Sequence, residues 1–275
     1  LKMSVADFVK ILEVKRYSPN TIKTYSSFVS LAKGYFKKPL NKVSEQDLYE
    51  YIYNLIHHKK ISFSYQKQMV MSLKLYYKEV LNETINIQYL IPSRREKKLP
   101  SVLSKNEVKR LINGLSNIKH KCIISLMYSA GLRISEVVGL EIIDIDSERM
   151  IITVRGAKNY KDRNLPLSEN ILLLLREYYK EYSPNKYLFE GQKGGKYTAS
   201  SIRQIFNRVV KKIGIKKNAT PHTLRHSYAT HLLEDGVDVR IIQKLLGHNS
   251  LNTTMIYTHI ATPTLLKVKS PFDTL

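Results

Sequence analysis

Hydrophobic positions recur every three or four residues along most of the chain, which is the spacing of helices with one buried face. In the first part of the sequence this period covers four segments, at 5–14, 21–35, 45–57 and 64–80. A serine stands near the start of three of them, where it favours a helix N-cap, at Ser18, Ser44 and Ser62. The pattern predicts an all-helical N-terminal domain over residues 1–90.

The helical period stops at IPSRREKKLPSVL, residues 91–103, where two prolines enclose a basic run. Such a stretch is typical of a linker. Its charge fits a path across a phosphate backbone, and it fits equally well a segment whose charge only keeps it solvated. The break separates the first domain from a second domain, residues 104–275.

The second domain combines helical and strand-like patterns. Ser104 and Glu107 form a capping-box pattern, and an apolar helix is predicted at 119–130. Short strands joined by turns are predicted in two segments, 141–156 and 162–167. Further helices are predicted at 168–182, 198–213, 222–235, 238–246 and 250–258. The fold class that follows is mainly α with a small β-sheet, an α+β protein.

The composition of the chain favours a folded protein in a reducing compartment. Apolar residues make up 43% of its 275 residues, which is enough to form a core. Cys122 is the single cysteine, so no disulfide can form within the chain. Because the sequence has neither an apolar run of membrane-spanning length nor a signal-peptide core, we expect a cytoplasmic protein without a membrane partner.

The charge of the chain points to a polyanionic partner. Lys and Arg number 45 against 23 Asp and Glu, which gives a formal net charge of +22. The excess is +10 in residues 1–98 and +12 in residues 99–275, so both domains share it. Two basic domains favour two surfaces that face the same nucleic acid. The alternative is a lysine-rich surface that is only solvated.

Four motifs carry candidate chemistry: AGLRISE (130–136), RGAKNYKDR (155–163), PHTLRHSYATH (221–231) and LLGHNSLNTTMIYTH (245–259). In the third motif, Pro221 suits the first position of a helix, since no N–H is needed there. His222 and Arg225 then project from the first turn, where free backbone N–H groups attract anions. A guanidinium adds a fork that matches two phosphate oxygens, so this helix entrance is a candidate phosphate site.

A metal site is the competing interpretation of the third motif. His222 and His226 have the i, i+4 spacing of a zinc pair, but Thr223 stands where the HExxH motif has its glutamate. We therefore expect no metal ion at this position. His226 and His231 are interpreted as packing or supporting residues.

The first two motifs leave their roles open when each is taken alone. Arg133 follows Gly131 and fits a cap residue on the surface, while Glu136 is placed to hold a buried guanidinium by an ion pair. Lys158 and Lys161 lie in the predicted hairpin. They fit either solvated surface lysines or an arm that reaches into a DNA groove.

The stretch GQKGGKYT (191–198) resembles a phosphate-binding loop but departs from its pattern. Glu190 stands where the first glycine belongs, and Tyr197 replaces the final Ser or Thr. We therefore expect no bound nucleotide.

Taken together, AGLRISE, HTLRHSYATHLLEDG, LLGH and IYTH resemble the motifs of the tyrosine recombinase (Xer/integrase) family. The family order R…K…HxxR…H…Y is matched by six residues: Arg133, Lys158, His222, Arg225, His248 and Tyr257. Lys158 is preferred to Lys161 because it directly follows the predicted strand, and the choice between them stays open. The resemblance covers most of the chain. It implies a core-binding, SAM-like DNA-binding domain at 1–90 and a catalytic domain with a C-terminal exchange tail at 104–275.

The resemblance implies that the protein is an enzyme, a site-specific DNA recombinase. Its 19 tyrosines do not by themselves select a nucleophile, but the family order assigns that role to Tyr257. Tyr257 would attack the scissile phosphate and form a 3′-phosphotyrosyl intermediate. Strands would then be exchanged through a Holliday junction, and because the covalent bond conserves the energy, no ATP or other cofactor is expected.

The family pattern also implies a role for each of the other matched residues. Arg133 and Arg225 would bind the non-bridging phosphate oxygens and stabilise the charge gained in the transition state. His248 would hydrogen-bond the phosphate, and His222 would accept or share the tyrosine proton. Lys158 would protonate the leaving oxygen as the general acid.

The implied partners are double-stranded DNA with specific core sites and further copies of the chain, in a homotetramer joined by exchange of the tail. Chromosome-dimer resolution, integration or excision of a mobile element, and DNA inversion all fit this chemistry. A type IB topoisomerase and a non-catalytic DNA-binding protein are the alternative functions. The motifs AGLRISE and HTLRHSYATH favour a recombinase over a topoisomerase. The intact six-residue set argues against a non-catalytic protein.

Overall fold

The computed structural model describes residues 4–93, 99–157, 161–192 and 194–258. Contacts between residues group the chain into two units, Leu1–Lys97 and Lys98–Leu275. Among the helices in the described ranges, none combines the length and the apolar character needed to cross a membrane.

Helices with serine caps build the first unit. Their bounds are α1 (Val5–Val14), α2 (Pro19–Phe36), α3 (Glu45–Lys59) and α4 (Phe63–Tyr76), which continues as a π-helical turn, Tyr77–Leu81. The hydroxyls of Ser18, Ser44 and Ser62 accept hydrogen bonds from N–H groups in the first turns of α2, α3 and α4, so the predicted helix starts are confirmed. The apolar faces share one core, formed in part by Phe8, Val29, Ile52 and Leu73.

The second unit combines helices with a small sheet, as predicted. Its helices in the described residues are α5 (Lys105–Asn113), α6 (Ile118–Ser129), α7 (Ile134–Gly139), α8 (Glu169–Tyr182), α9 (Ala199–Lys212), α10 (Pro221–Glu234), α11 (Val239–Leu246) and α12 (Leu251–Met255). The capping box of Ser104 and Glu107 is present at the start of α5. Two details differ from the prediction. Helix α7 was not anticipated, because six residues are too few to show a period, and α12 is shorter than the predicted 250–258.

The sheet contains β1 (Ile145–Asp146), β2 (Ile151–Ala157) and β3 (Lys161–Pro166), paired antiparallel in the order β1-β2-β3. Ile152 lies opposite Leu165, and both side chains are buried in the core of the second unit. The prediction of a strand at the start of the segment 141–156 is wrong. Residues Ile142–Asp144 form a 3₁₀ turn, since the Asp144 carboxylate accepts the backbone N–H of Glu141 at 2.8 Å and closes the chain into a turn.

Helix α10 lies in the interior of the second unit and packs against α6, α9 and α11. Its burial extends to polar side chains such as Ser227 and Thr230. The backbone N–H of Leu103 donates to Ser227 Oγ at 2.9 Å, which fastens the segment ahead of α5 to this helix. The first turn of α10 is thereby held in a fixed position against its neighbours.

Gly131 brings the end of α6 close to α10. It has a φ of +60°, and a Cβ atom at this position would lie 2.5 Å from Cδ1 of Tyr228. Only glycine satisfies both the left-handed backbone and the close approach. The contact places the carbonyl group of Gly131 beside the first turn of α10.

Candidate active site

The Glu136 carboxylate is the centre of a cluster of guanidinium groups. Arg133 contacts it twice, through its backbone N–H and through Nη1, each at 2.8 Å. Arg163 donates two hydrogen bonds in the bidentate geometry, at 2.9 and 2.8 Å, and Arg225 Nη1 lies 4.0 Å away. Burial raises the pKa of Glu136, but the hydrogen bonds and charge of Arg163, followed by those of Arg133, lower it to about 2. The predicted ion pair of Glu136 is confirmed, and the carboxylate is charged at neutral pH.

Arg225 is held by backbone carbonyl groups from two other elements. Its Nη1 donates to Gly131 O at 2.7 Å and its Nη2 donates to Leu246 O at the end of α11. The side chain is 1% exposed, and its Nε has no hydrogen-bond partner among the described residues. Burial, and then the charge of Arg133, lower the pKa of Arg225 to about 10, so the guanidinium stays charged at neutral pH. Its Nε is left as an unused hydrogen-bond donor.

Tyr257 follows α12 and turns its phenol inward, where the side chain is only 2% exposed. Its Oη lies 3.0 Å from Nδ1 of His226, and its ring is nearly parallel to the ring of His248, with centroids 6.5 Å apart. Burial raises the pKa of Tyr257, whereas the charges of Arg225 and Arg133 act in the opposite direction. The phenol therefore lies within the electrostatic reach of both guanidinium groups.

Three histidines surround the phenol and the arginines. The rings of His222 and His226 meet edge to face at 4.6 Å, and His248 Nδ1 lies 2.9 Å from Thr254 Oγ1. Burial is the main cause that lowers the pKa of all three, to about 4 for His226 and about 3 for His248. The charge of Arg225 acts in the same direction on each of them. All three imidazoles are therefore neutral at pH 7 in the protein without DNA.

An open cleft of about 380 Å³ lies beside Arg133 and Glu136. Its wall includes Ser135 at the start of α7 and Arg155 on β2. Arg155 Nε is 2.7 Å from the buried carboxylate of Asp144, so a second cation is anchored at the sheet. The guanidinium groups of Arg133 and Arg155 therefore line the same open cleft.

The structure brings five of the six residues predicted for the site into one region of the second unit, namely Arg133, His222, Arg225, His248 and Tyr257. The sixth, Lys158, lies outside the described residues. Lys161 begins β3, and the choice between the two lysines stays open. Within the described part of the chain, no group of three or more His, Cys, Asp or Glu side chains is placed to hold a metal ion.

Two further residues belong to the site. Arg163 is not predicted as a site residue, yet it forms the bidentate pair with Glu136. His226, predicted as a packing or supporting residue, contacts the Tyr257 hydroxyl. The spacing of His226 from His222 places both on one face of α10, and this was the only signal in the sequence that bore on the contact.

Comparison with known proteins identifies the family. Residues 101–263 match the phage integrase family, and residues 5–87 match the phage integrase N-terminal SAM-like domain. The tyrosine recombinase XerA of Pyrococcus furiosus is 38% identical over 263 residues, which cover 92% of this chain and 88% of XerA. The chain is a Xer-like tyrosine recombinase of the phage integrase family.

Solved structures agree with this identification. The recombinase matches a crystal structure of XerA recombinase with a TM-score of 0.58 and 32% sequence identity, over 97% of this chain and 98% of that one. A crystal structure of XerH site-specific recombinase bound to a palindromic difH substrate, in a post-cleavage complex, matches with a TM-score of 0.76. That match has 24% identity and covers 98% of this chain and 85% of the XerH chain, so it supports the fold. The recombinase acts in site-specific DNA recombination, and the predicted α+β fold is confirmed.

Proposed function

We propose that the recombinase cleaves and rejoins DNA through Tyr257. The phenolic oxygen attacks the scissile phosphodiester, forms a 3′-phosphotyrosyl bond and releases a 5′-hydroxyl group. The 5′-hydroxyl of a second strand then attacks the phosphotyrosine, so that strands are exchanged through a Holliday junction. The covalent intermediate keeps the energy of the broken bond, and neither ATP nor water is consumed.

The observation that most supports this proposal is the surroundings of the phenol. A phenol has a pKa of about 10, so its ionisation at neutral pH costs roughly 4 kcal/mol. The guanidinium charges of Arg225 and Arg133 oppose the effect of burial on the pKa of Tyr257. The same two cations would stabilise the charge that a phosphate gains in the transition state.

The remaining residues complete the proposed reaction. The guanidinium groups of Arg133 and Arg225 bind the non-bridging oxygens, and His248 hydrogen-bonds the phosphate. His222 shares the tyrosine proton through the ring of His226, with which it is in contact. Lys158 protonates the 5′-oxygen as it leaves.

Substitution Tyr257→Phe tests this assignment. We expect the variant to bind DNA as the parent protein does but to form no covalent protein–DNA adduct, because the attacking oxygen has been removed. The measurement uses a duplex with the recombinase's own site and a nick beside the cleaved bond. The nick lets the short fragment that carries the new 5′-hydroxyl diffuse away, so adducts accumulate and are counted on a denaturing gel.

Tyr228→Phe is the matched control, since Tyr228 is a second buried tyrosine of the same apolar cluster. It is expected to form adducts at the parental rate. Adducts that persist in Tyr257→Phe at a parental level would assign the nucleophile to another residue and overturn the proposal.

We propose that both units of the chain bind the duplex. The net charges of the two halves, +10 for residues 1–98 and +12 for residues 99–275, support contacts to phosphates on both sides. Such contacts release counterions, so affinity falls steeply as salt rises. The match of residues 5–87 to a SAM-like domain of phage integrases supports the assignment of residues 1–90 as the core-binding domain.

The C-terminal tail is proposed to join four protomers into a ring on two DNA sites. It contains Leu265, Leu266 and Val268, and it lies outside the described residues. We expect deletion of residues 264–275 to leave binding to one site intact and to abolish synapsis of two sites. Electrophoretic mobility shift and recombination of a two-site plasmid measure the two steps separately.

Deletion of residues 270–275 is the control for the tail, because it retains the three apolar side chains and is expected to preserve recombination. Full recombination by the longer deletion would refute tail exchange. Relaxation of the supercoiled plasmid without strand exchange would favour a type IB topoisomerase. Chromosome-dimer resolution, movement of a mobile element and DNA inversion are distinguished by the DNA sequences that the enzyme cleaves.

A further inference from the structure

His226 is the hydrogen-bond partner of the Tyr257 hydroxyl, with 3.0 Å between Nδ1 and Oη. It follows Arg225 directly in the chain and lies on the second turn of α10. No other hydrogen bond of Tyr257 Oη is formed within the described residues. Because the phenol is almost fully buried, this contact decides where its proton points.

The direction of the hydrogen bond follows from the protonation state of the imidazole. Burial, then electrostatic interactions with His222 and Arg225, lower the pKa of His226 to about 4. A neutral imidazole with a free Nδ1 accepts, so the phenol donates its proton to His226. The opposite direction would leave the O–H group of a buried phenol without an acceptor, at a cost of about 1–3 kcal/mol.

We propose that His226 accepts the proton of Tyr257 during DNA cleavage and returns it during rejoining, an inference that rests on Tyr257 being the nucleophile. As the bond from Oη to phosphorus forms, the O–H bond breaks and the proton moves to Nδ1. The 5′-oxygen leaves with a proton from the hairpin lysine. In the reverse step a 5′-hydroxyl attacks phosphorus, and the imidazolium gives its proton back to Oη as the phosphotyrosine bond breaks.

The charges around His226 suit both directions of this transfer. In the protein without DNA, Arg225 opposes a positive charge on His226, and Arg133 acts in the same direction on the neighbouring His248 and Arg225. A bound phosphate anion offsets these cations and makes the imidazolium easier to form. An imidazolium is a stronger acid than a phenol, so it returns the proton to Oη when the phosphotyrosine bond breaks.

His226→Asn is the variant that tests the transfer. Asparagine keeps a carbonyl oxygen that accepts the hydrogen bond of the phenol, but it does not take up a proton. We expect its single-turnover cleavage of the nicked substrate to be slower by about 10²–10⁴-fold, the usual range for the loss of a general base. DNA affinity and cooperative thermal unfolding report that the variant is folded, and His226→Gln replaces it if it is not.

His231→Asn is the matched control, because His231 lies on the same helix and forms the same kind of contact. Its Nδ1 is 2.8 Å from the hydroxyl of Tyr128, and burial lowers its pKa as well. Tyr128 is not the nucleophile, so this variant is expected to cleave at the parental rate. A similar loss of cleavage in His231→Asn would mean that any lost tyrosine–histidine contact disturbs the fold, and it would overturn the assignment.

A DNA strand that ends in a 3′-p-nitrophenyl phosphate separates proton transfer by His226 from any other contribution of this residue to the reaction. Its p-nitrophenolate group stands in for Tyr257 and leaves without a proton, so joining no longer needs an acid at Oη. In the Tyr257→Phe background, addition of His226→Asn is therefore expected to change the joining rate by less than about threefold.

The outcomes of these two assays decide the inference. Slow cleavage together with retained joining of the p-nitrophenyl strand supports it. Parental cleavage by His226→Asn, or an equal loss in both assays, would overturn it. Adducts formed by Tyr257→Phe itself would instead overturn the underlying assignment of the nucleophile, so the two failures are distinguishable.

Discussion

Substitution Arg225→Lys is expected to slow DNA cleavage by about 10²–10³-fold, the usual result when one donor to a developing negative charge is lost. A lysine carries the same charge, but it has no planar fork. Its single ammonium group does not reproduce the contacts to Gly131 O and Leu246 O together with a third donor toward the phosphate. Single-turnover cleavage at saturating protein measures the effect without a contribution from DNA affinity.

Arg240→Lys is the control for this prediction, because Arg240 is an exposed residue of α11. Its cleavage rate is expected to stay close to the parental value. If Arg225→Lys cleaves as fast as the parent while it remains folded, the buried guanidinium serves the fold alone and the proposed phosphate contact is wrong.

The second large effect is expected on stability, for Glu136→Gln. The carboxylate lies in contact with Arg133 and Arg163, and the amide leaves their charges without a buried counterion. Loss of one partner of a buried ion pair typically destabilises a protein by about 3–5 kcal/mol. Urea unfolding followed by circular dichroism measures this change, and Glu148→Gln, at an exposed turn, is expected to leave stability unchanged.

The same carboxylate predicts a pH dependence of stability. The pKa of Glu136 is about 2 in the folded protein against an ordinary value of 4.5. A lowered pKa contributes stability that is fully present above the ordinary value and is lost as the pH falls toward about 2. The difference between the two pKa values corresponds to roughly 3 kcal/mol of the free energy of unfolding. The parent protein should therefore lose its advantage over Glu136→Gln between these pH values, and a constant difference would contradict the ion-pair account.

The sequence was informative about the fold wherever a local rule decides the structure. Serines such as Ser44 and Ser104 marked helix starts correctly, because an N-cap hydrogen bond depends only on residues within one turn. The turn at Ile142–Asp144 was misread as a strand. The segment is rich in isoleucine, which favours strands, and the deciding contact comes from one aspartate.

The site was predictable in its residue types but, apart from the ion pair of Glu136, not in its contacts. Arg133 and Tyr257 were identified through a family pattern, which carries no distances. The roles of Arg163 and His226 depend on partners far away in the chain, 27 and 31 residues respectively. No periodicity encodes such pairs. The cluster of guanidinium groups around Glu136 and the hydrogen bond between Tyr257 and His226 are therefore seen only when the elements are packed together.

The most direct test of the account is the identity of the residue that becomes bonded to DNA. Covalent adducts formed on fragmented genomic DNA are captured under denaturing conditions. Trypsin then digests their protein part, and nuclease digests their DNA. We expect a nucleotide attached through phosphate to the tryptic peptide 245–267, in which Tyr257 is the sole tyrosine. A nucleotide found on any other peptide would contradict the assignment of Tyr257 as the nucleophile.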